Sequence, residues 1–249
     1  MAIHPNREET SGASSSAESI QRYYEEWWED PRDIRNPIFD RLSRLVQQRI
    51  EQCAASRALD LGSGKGRVLS MLIAKGLKVT AIEFSPILAR ELKKNFPSAT
   101  IVCADVRGWG PDHHYDLVTS IELTQVLGQD DLRSLLRRLR PYVKRILINV
   151  SNRHSVHGVW VRTRGFQAPF IVTYSSRDLV RMLEATGYRV VFATGVGFLT
   201  PLSLLRDFKV PIITHGLADR LRKLDNCFPR FCHLYLVEAV PVSEADEWS

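Results

Sequence analysis

The chain has 249 residues with a mass of 28.4 kDa, 44% of them hydrophobic and 25% charged, and a formal net charge of +6. That is the size of one α/β domain with a tail and the composition of an ordinary globular protein. No apolar run approaches the ~18 residues of a membrane span, no apolar signal core opens the chain, and Glu8 and Glu9 argue against a transit peptide.

Residues 1–16, ending Thr-Ser-Gly-Ala-Ser-Ser-Ser, are small and polar and predict a disordered tail. Residues 17–50 carry two helical patterns, parted by Pro31 and Pro37. Tyr23, Tyr24, Trp27 and Trp28 mark the first, and Ile38, Leu42, Leu45, Val46 and Ile50 the second. The aromatic helix is either a lid over a ligand site or an amphipathic helix packed on the core.

Strand cores follow at about 57–61, 78–82, 99–103, 115–120 and 145–150. Helix patterns lie between them at about 66–75, 86–96 and 130–142, and only a short segment follows residue 104. The runs Val79 to Ile82, Ile101-Val102 and Ile146 to Ile148 suit strands buried on both faces. Such alternation predicts a parallel sheet with right-handed crossovers. Beyond residue 150 comes an irregular stretch, 151–174, then a helix near 176–186 ended by Gly187 and a strand near 189–194. A long segment with Pro201 and Pro211, a basic helix near 217–225, a strand at 233–239 and a frayed acidic tail complete the chain.

Cys53, Cys103, Cys227 and Cys232 show neither CxxC nor Cys/His ligand spacing. They predict no disulfide, no bound metal and a cytoplasmic location, with Cys103 a small hydrophobe in a core strand. Positive charge is spread through segments rich in both signs, so a solvated surface accounts for it and nucleic acid is not expected as a partner.

The most informative stretch is Asp60-Leu61-Gly62-Ser63-Gly64-Lys65-Gly66, which joins the apolar pair Ala58-Leu59 to the helix-period run Val68, Leu69, Leu72 and Ile73. Glycines between a strand and a helix let backbone approach a ligand closely. Their spacing is G-x-G-x-G, and Arg67 stands where the dinucleotide fingerprint has its last glycine. Glu83 ends the second strand twenty-one positions after Gly62, where an acid can accept hydrogen bonds from vicinal ribose hydroxyls. Asp105 and Val106 follow the third strand, where a carboxylate and an N–H can meet an adenine edge; a helix N-cap is the other reading of Asp105.

Together with Ile121 after strand four, these residues resemble class I S-adenosylmethionine-dependent methyltransferases, and within them the subgroup acting on quinones and other small metabolites. The resemblance covers residues 57–150. It implies a Rossmann-like, doubly wound α/β sheet of seven strands, mostly parallel with the last strand antiparallel, plus N-terminal helices. It also implies S-adenosylmethionine as cofactor, held by Asp60, Gly62, Gly64, Gly66, Glu83, Asp105, Val106 and Ile121. A single domain is expected over 17–242, with a helical lid at 17–50, a cofactor core at 51–150 and acceptor-side segments at 151–242. The tail is 243–249. Arg140-Pro141-Tyr142 and Leu123-Thr-Gln-Val126 depart from the Pro-Gly-Gly and Glu-His patterns of many relatives.

Methyl transfer needs alignment more than chemistry from the protein. Where the acceptor must lose a proton, His154 and His157, after strand five, are the candidate bases, and each could equally be a structural loop histidine. The apolar insertion at 196–214 is a candidate wall for an apolar acceptor. The other readings are an RNA methyltransferase using the basic helix of Arg133, Arg137, Arg138 and Arg140, an NAD(P) oxidoreductase, and a silent binding protein of the same fold. Oligomeric state is not written in these residues.

Overall fold

The computed structural model describes residues 37–155, 158–159, 172–198, 224–225 and 227–242. The N-terminal tail and aromatic helix, His157, residues 199–214 of the insertion, most of the basic helix at 217–225 and the final tail lie outside them.

The described strands are β1 (Arg57–Leu61), β2 (Lys78–Glu83), β3 (Thr100–Cys103), β4 (Leu117–Ser120), β5 (Ile146–Ser151), β6 (Tyr188–Val196) and β7 (Leu234–Pro241). The helices are α1 (Pro37–Gln52), α2 (Arg67–Ala74), α3 (Pro86–Asn95), α4 (Gln129–Leu139) and α5 (Ser176–Ala185). The strands form one seven-stranded sheet in the order β3-β2-β1-β4-β5-β7-β6. Strands β1 to β5 run parallel, and β7 is antiparallel to both β5 and β6. This is the doubly wound, mostly parallel sheet with a reversed last strand that the alternation and the family resemblance predict. Strand order reverses at β1 and β4, which opens a crevice at their carboxyl ends.

Each face carries its own core. Leu42, Val46 and Ile50 of α1 pack with Leu69 and Leu72 of α2 on one face. Leu132, Leu136 and Leu139 of α4 pack with Leu179 and Leu183 of α5 on the other. Full burial of each such side chain stabilises by about 1.5–3 kcal/mol. An ion cluster around the buried Glu238 ties α1 to β7, inside the sheet's far edge: Glu238 accepts from Arg49 at 2.5 Å and also from Arg145.

Several expectations are corrected. α4 ends at Leu139 and tightens into a 3-10 turn at Arg140–Tyr142, because Pro141 has no N–H to continue the ladder. β6 runs longer than its apolar core and absorbs a register shift between Val190 and Phe192. Strands β2 and β3 are not buried on both faces: Lys78, Thr100 and Cys103 are exposed, and Thr80 and Val102 are half-buried. Cys103 is therefore no core residue, since β3 is the sheet's edge strand. Between β3 and β4 the chain makes only turns, with no covering helix. Among the described residues no helix is long and apolar enough to cross a membrane.

Candidate active site

The glycine turn continues the sheet before it breaks away. The N–H groups of Gly62 and Ser63 both donate to the Ile82 carbonyl, at 2.9 and 3.2 Å, so the turn leaves β1 still attached to β2. Gly62, Gly64 and Gly66 all have positive φ, at 70°, 54° and 84°. The outer two glycines also answer to packing. A Cβ on Gly62 would lie 2.9 Å from Leu123 Cδ1, and one on Gly66 would lie 2.4 Å from Phe96 Cε2. Gly66 is the N-cap of α2, so its glycine serves helix entry and the α2–α3 contact.

Glu83 braces this turn. Its carboxylate accepts from the Gly64 N–H and the Ser85 N–H, both at 2.8 Å. A carboxylate offers about four acceptor sites, so capacity remains for a ligand hydroxyl beside the backbone N–H groups of Gly64, Ser85 and Phe84. Burial raises its pKa, opposed by the backbone hydrogen bonds. Asp105 is held differently. Arg107 grips both its oxygens through Nε and Nη2 and its backbone N–H donates to Oδ1, so the carboxyl stays ionised. This local turn, not an N-cap, is what Asp105 organises, and the neighbouring Val106 is buried.

Asp60 is 2% exposed at the carboxyl end of β1. Its Oδ1 accepts from Thr119 Oγ1 at 2.7 Å, while Oδ2 has no hydrogen-bond partner. Burial drives its pKa up to about 6 against the Thr119 hydrogen bond. Ser120 Oγ, at the end of the neighbouring β4, is likewise buried and unpartnered. Two orphaned polar atoms beside the glycine turn are what a polar, cationic ligand would complete.

Ile121 is buried, and the chain then turns at Glu122, which has φ 63°. A non-glycine residue in the left-handed region costs on the order of 1 kcal/mol and marks a place held by its surroundings. Asn149 of β5 does the holding: its Oδ1 accepts from the Glu122 N–H at 2.7 Å and its Nδ2 donates to the Glu122 carboxylate. Burial raises the Glu122 pKa, opposed by Asn149 and by the charge of Arg67. Arg67 has its own pKa lowered by burial, opposed by Glu122, Asp60 and Asp40.

The loop after β5 is anchored through Asn152, whose Nδ2 donates to the carbonyls of Arg230 at 2.7 Å and Cys232 at 2.9 Å. Its Oδ1 accepts from the His154 N–H. The His154 side chain is exposed, in the electrostatic neighbourhood of Asp178 at the start of α5. Val172 and Tyr174 lie against this rim, donating to the carbonyls of Gln125 and Leu127. The carboxyl ends of β1, β2, β4 and β5 thus bring together Asp60, the three glycines, Glu83, Ile121 and Glu122. Asp105 and Val106 stand at the adjacent β3 end and His154 on the outer rim; His157 lies outside the described residues.

Arg67, Glu122 and Asn149 were missed by sequence reasoning. Asn149 carried a signal, being the one amide in the apolar run Ile146-Leu-Ile-Asn-Val150. The left-handed turn at Glu122 carried none.

Residues 30–192 match the family described as a methyltransferase domain. Over 84 residues the chain is 31% identical to trans-aconitate 2-methyltransferase from Escherichia coli, covering 33% of this chain and 31% of that one. The chain thus matches about a third of the length of such curated relatives. Among solved structures, a magnesium protoporphyrin IX methyltransferase from Synechocystis with bound S-adenosylhomocysteine superimposes with a TM-score of 0.62 at 13% identity, over 91% of this chain and 99% of that one. An S-adenosylmethionine-dependent methyltransferase from Clostridium acetobutylicum gives 0.61 at 10% identity, over 90% and 100%. At these identities the two structures speak to the fold.

Proposed function

The chain belongs to the methyltransferase-domain family as a class I S-adenosylmethionine-dependent methyltransferase, and from that premise we propose that it methylates a small, partly apolar metabolite at oxygen or nitrogen. The observation that carries the cofactor site is the unpartnered Asp60 Oδ2 beside the glycine turn braced by Glu83. Bound S-adenosylmethionine supplies a methyl group on a sulfonium sulfur, which an acceptor nucleophile displaces in line. Glu83 takes the ribose hydroxyls on its remaining lone pairs, and Asp105 and Val106 take the adenine edge. Asp60 and the Ile121 backbone face the amino-acid end, with Gly62, Gly64 and Gly66 giving close backbone approach.

The protein's share of the reaction is orientation, holding nucleophile, methyl and sulfur in line. His154, on the outer rim, is the first proton acceptor for an acceptor hydroxyl or ammonium, His157 the second, and Glu122 is a carboxyl with raised pKa inside the crevice. A small acceptor is supported by the name of the Escherichia coli relative and by the apolar composition of the 196–214 insertion. The arginines in and after α4 support it too. Arg138 donates to the carbonyls of Val106 and Trp109 and Arg140 to that of Val242, so two of the four are committed to holding the fold, and Arg133 pairs at the surface with Asp130 while Arg137 is exposed.

Calorimetry with S-adenosylhomocysteine tests the cofactor site. Glu83→Ala should weaken binding by about 1.5–3 kcal/mol, the worth of hydrogen bonds to a charged group. Tight NADH binding with none for S-adenosylhomocysteine overturns the assignment. His154→Ala should lower turnover about 10²-fold with cofactor affinity unchanged if it is the base. Methyl incorporation into bulk RNA, and none into a small-molecule extract, defeats the acceptor reading.

A further inference from the structure

The short connection between β3 and β4 leaves part of one sheet face open, at the end of the strands opposite the crevice. A cavity of about 390 Å³ lies there, within the size range of small-molecule sites. Its floor follows from strand register. Arg57 of β1 sits beside Lys78 of β2, and Thr80 of β2 beside Thr100 of β3, with all four side chains lining the cavity. The rings of Trp109 and Tyr115 also line it.

Two observations point to a ligand. Tyr115 is 1% exposed, yet its hydroxyl lies near Thr80 without a hydrogen bond of acceptable geometry and has no other partner. A buried hydroxyl left this way costs roughly 1–3 kcal/mol unless something completes it. Arg57 and Lys78 add two cations side by side, with no ion pair among the described residues. The one acid on the rim, Asp112, is solvent-facing and bonded to His113 at 2.5 Å. A floor of hydroxyls and two cations, walled by aromatic rings, suits a flat molecule bearing negative charge.

We propose that this cavity is a second binding site, separate from the methyl-transfer crevice, for a planar organic anion such as an aromatic carboxylate. Arg57 and Lys78 hold the carboxylate by charge-assisted hydrogen bonds. Tyr115 and the two threonines donate to its polar edge, and Trp109 packs on its ring. Lys78 and Glu83 end the same strand, five residues apart, so the two sites are about 17 Å apart along β2.

The test is calorimetric titration of the full chain with 1-naphthoate, and with neutral 1-naphthamide as control. The naphthoate should bind saturably and at least about tenfold tighter than the amide, in a salt-sensitive manner. The exposed double replacement Arg57→Ala with Lys78→Ala should weaken it about tenfold or more. Tyr115→Phe should weaken it severalfold while raising the unfolding midpoint of the free protein rather than lowering it, since the change removes a buried hydroxyl that lacks a hydrogen-bond partner. S-adenosylhomocysteine affinity should be the same in all variants and should not compete. Absence of saturable binding at millimolar naphthoate overturns the proposal. So does equal affinity in the double variant, or displacement by S-adenosylhomocysteine, because the anion then sits elsewhere. If the double variant changes sedimentation but not naphthoate affinity, this face joins two chains and the proposal is wrong.

Discussion

Asn149 grips Glu122 at two points, taking a hydrogen bond from its backbone N–H and giving one to its carboxylate. The amide of a β5 residue thereby sets the backbone of the turn after β4, and Thr124 Oγ1 closes the arrangement on the Asn149 carbonyl at 2.7 Å.

Removing that grip should release the left-handed turn. Asn149→Ala is expected to lower stability by about 1–3 kcal/mol, read from urea unfolding. It should reduce turnover more than S-adenosylhomocysteine affinity. Adding Glu122→Gly should recover roughly 1 kcal/mol, because glycine adopts φ 63° without strain. If the double variant is no more stable than Asn149→Ala alone, Asn149 does not hold strained backbone.

Asp60 should make both stability and ligand affinity depend on pH. Its carboxyl titrates near 3.8 when unfolded and at about 6 when folded, so between those values the native state binds the extra proton. The contribution of Asp60 to stability therefore falls as pH rises from about 4 to 6 and stays lowered above that, by on the order of 2–3 kcal/mol. Asp60→Asn should raise the melting temperature near pH 8 and change it little near pH 4. The same variant should weaken S-adenosylhomocysteine at neutral pH, since an ionised Oδ2 is the partner for an ammonium. A variant with unchanged melting at both pH values refutes the burial argument.

Gly66 and Phe96 should behave as a coupled pair. Gly66→Ala puts a methyl 2.4 Å from the Phe96 ring and imposes φ 84° on a residue with a Cβ. A loss of about 1–3 kcal/mol is expected from the clash, plus strain. Phe96→Leu should return part of it, visible as a non-zero interaction energy in a double-mutant cycle. Strict additivity would mean that conformation alone requires this glycine.

The sheet was legible because each central strand announces itself as a β-branched run between helix periods, as Ile146 to Val150 does. The site was legible where spacing carries chemistry, as in Asp60 to Gly66 and at Glu83. It was illegible where tertiary contact decides conformation. No pattern in Ile121-Glu122-Leu123 foretells a left-handed turn, because its cause lies on another strand. The open face of β2 was visible after all: Lys78 and Thr80 alternate with Val79 and Ala81, and that period-two pattern marks a strand covered on one side only. Reading the run as uniformly apolar hid the exposed side, and hid Cys103 at the sheet's edge with it.

The last strand in sequence is not the last in space. β7 slots between β5 and β6, along the register from Ser151↔Leu234 to Ile146↔Ala239 on one side and from Tyr188↔Pro241 to Val196↔Leu234 on the other. A growing chain that has emerged only as far as Phe231 therefore holds β5 and β6 with a strand-wide gap between them. Two inward-facing edges then stand unpaired, the arrangement most open to pairing with a neighbour. Arg49 and Arg145 meanwhile wait without the Glu238 carboxylate that both will share. The crevice formed by β1 to β4 can assemble early, but the sheet behind it closes only when the final strand arrives.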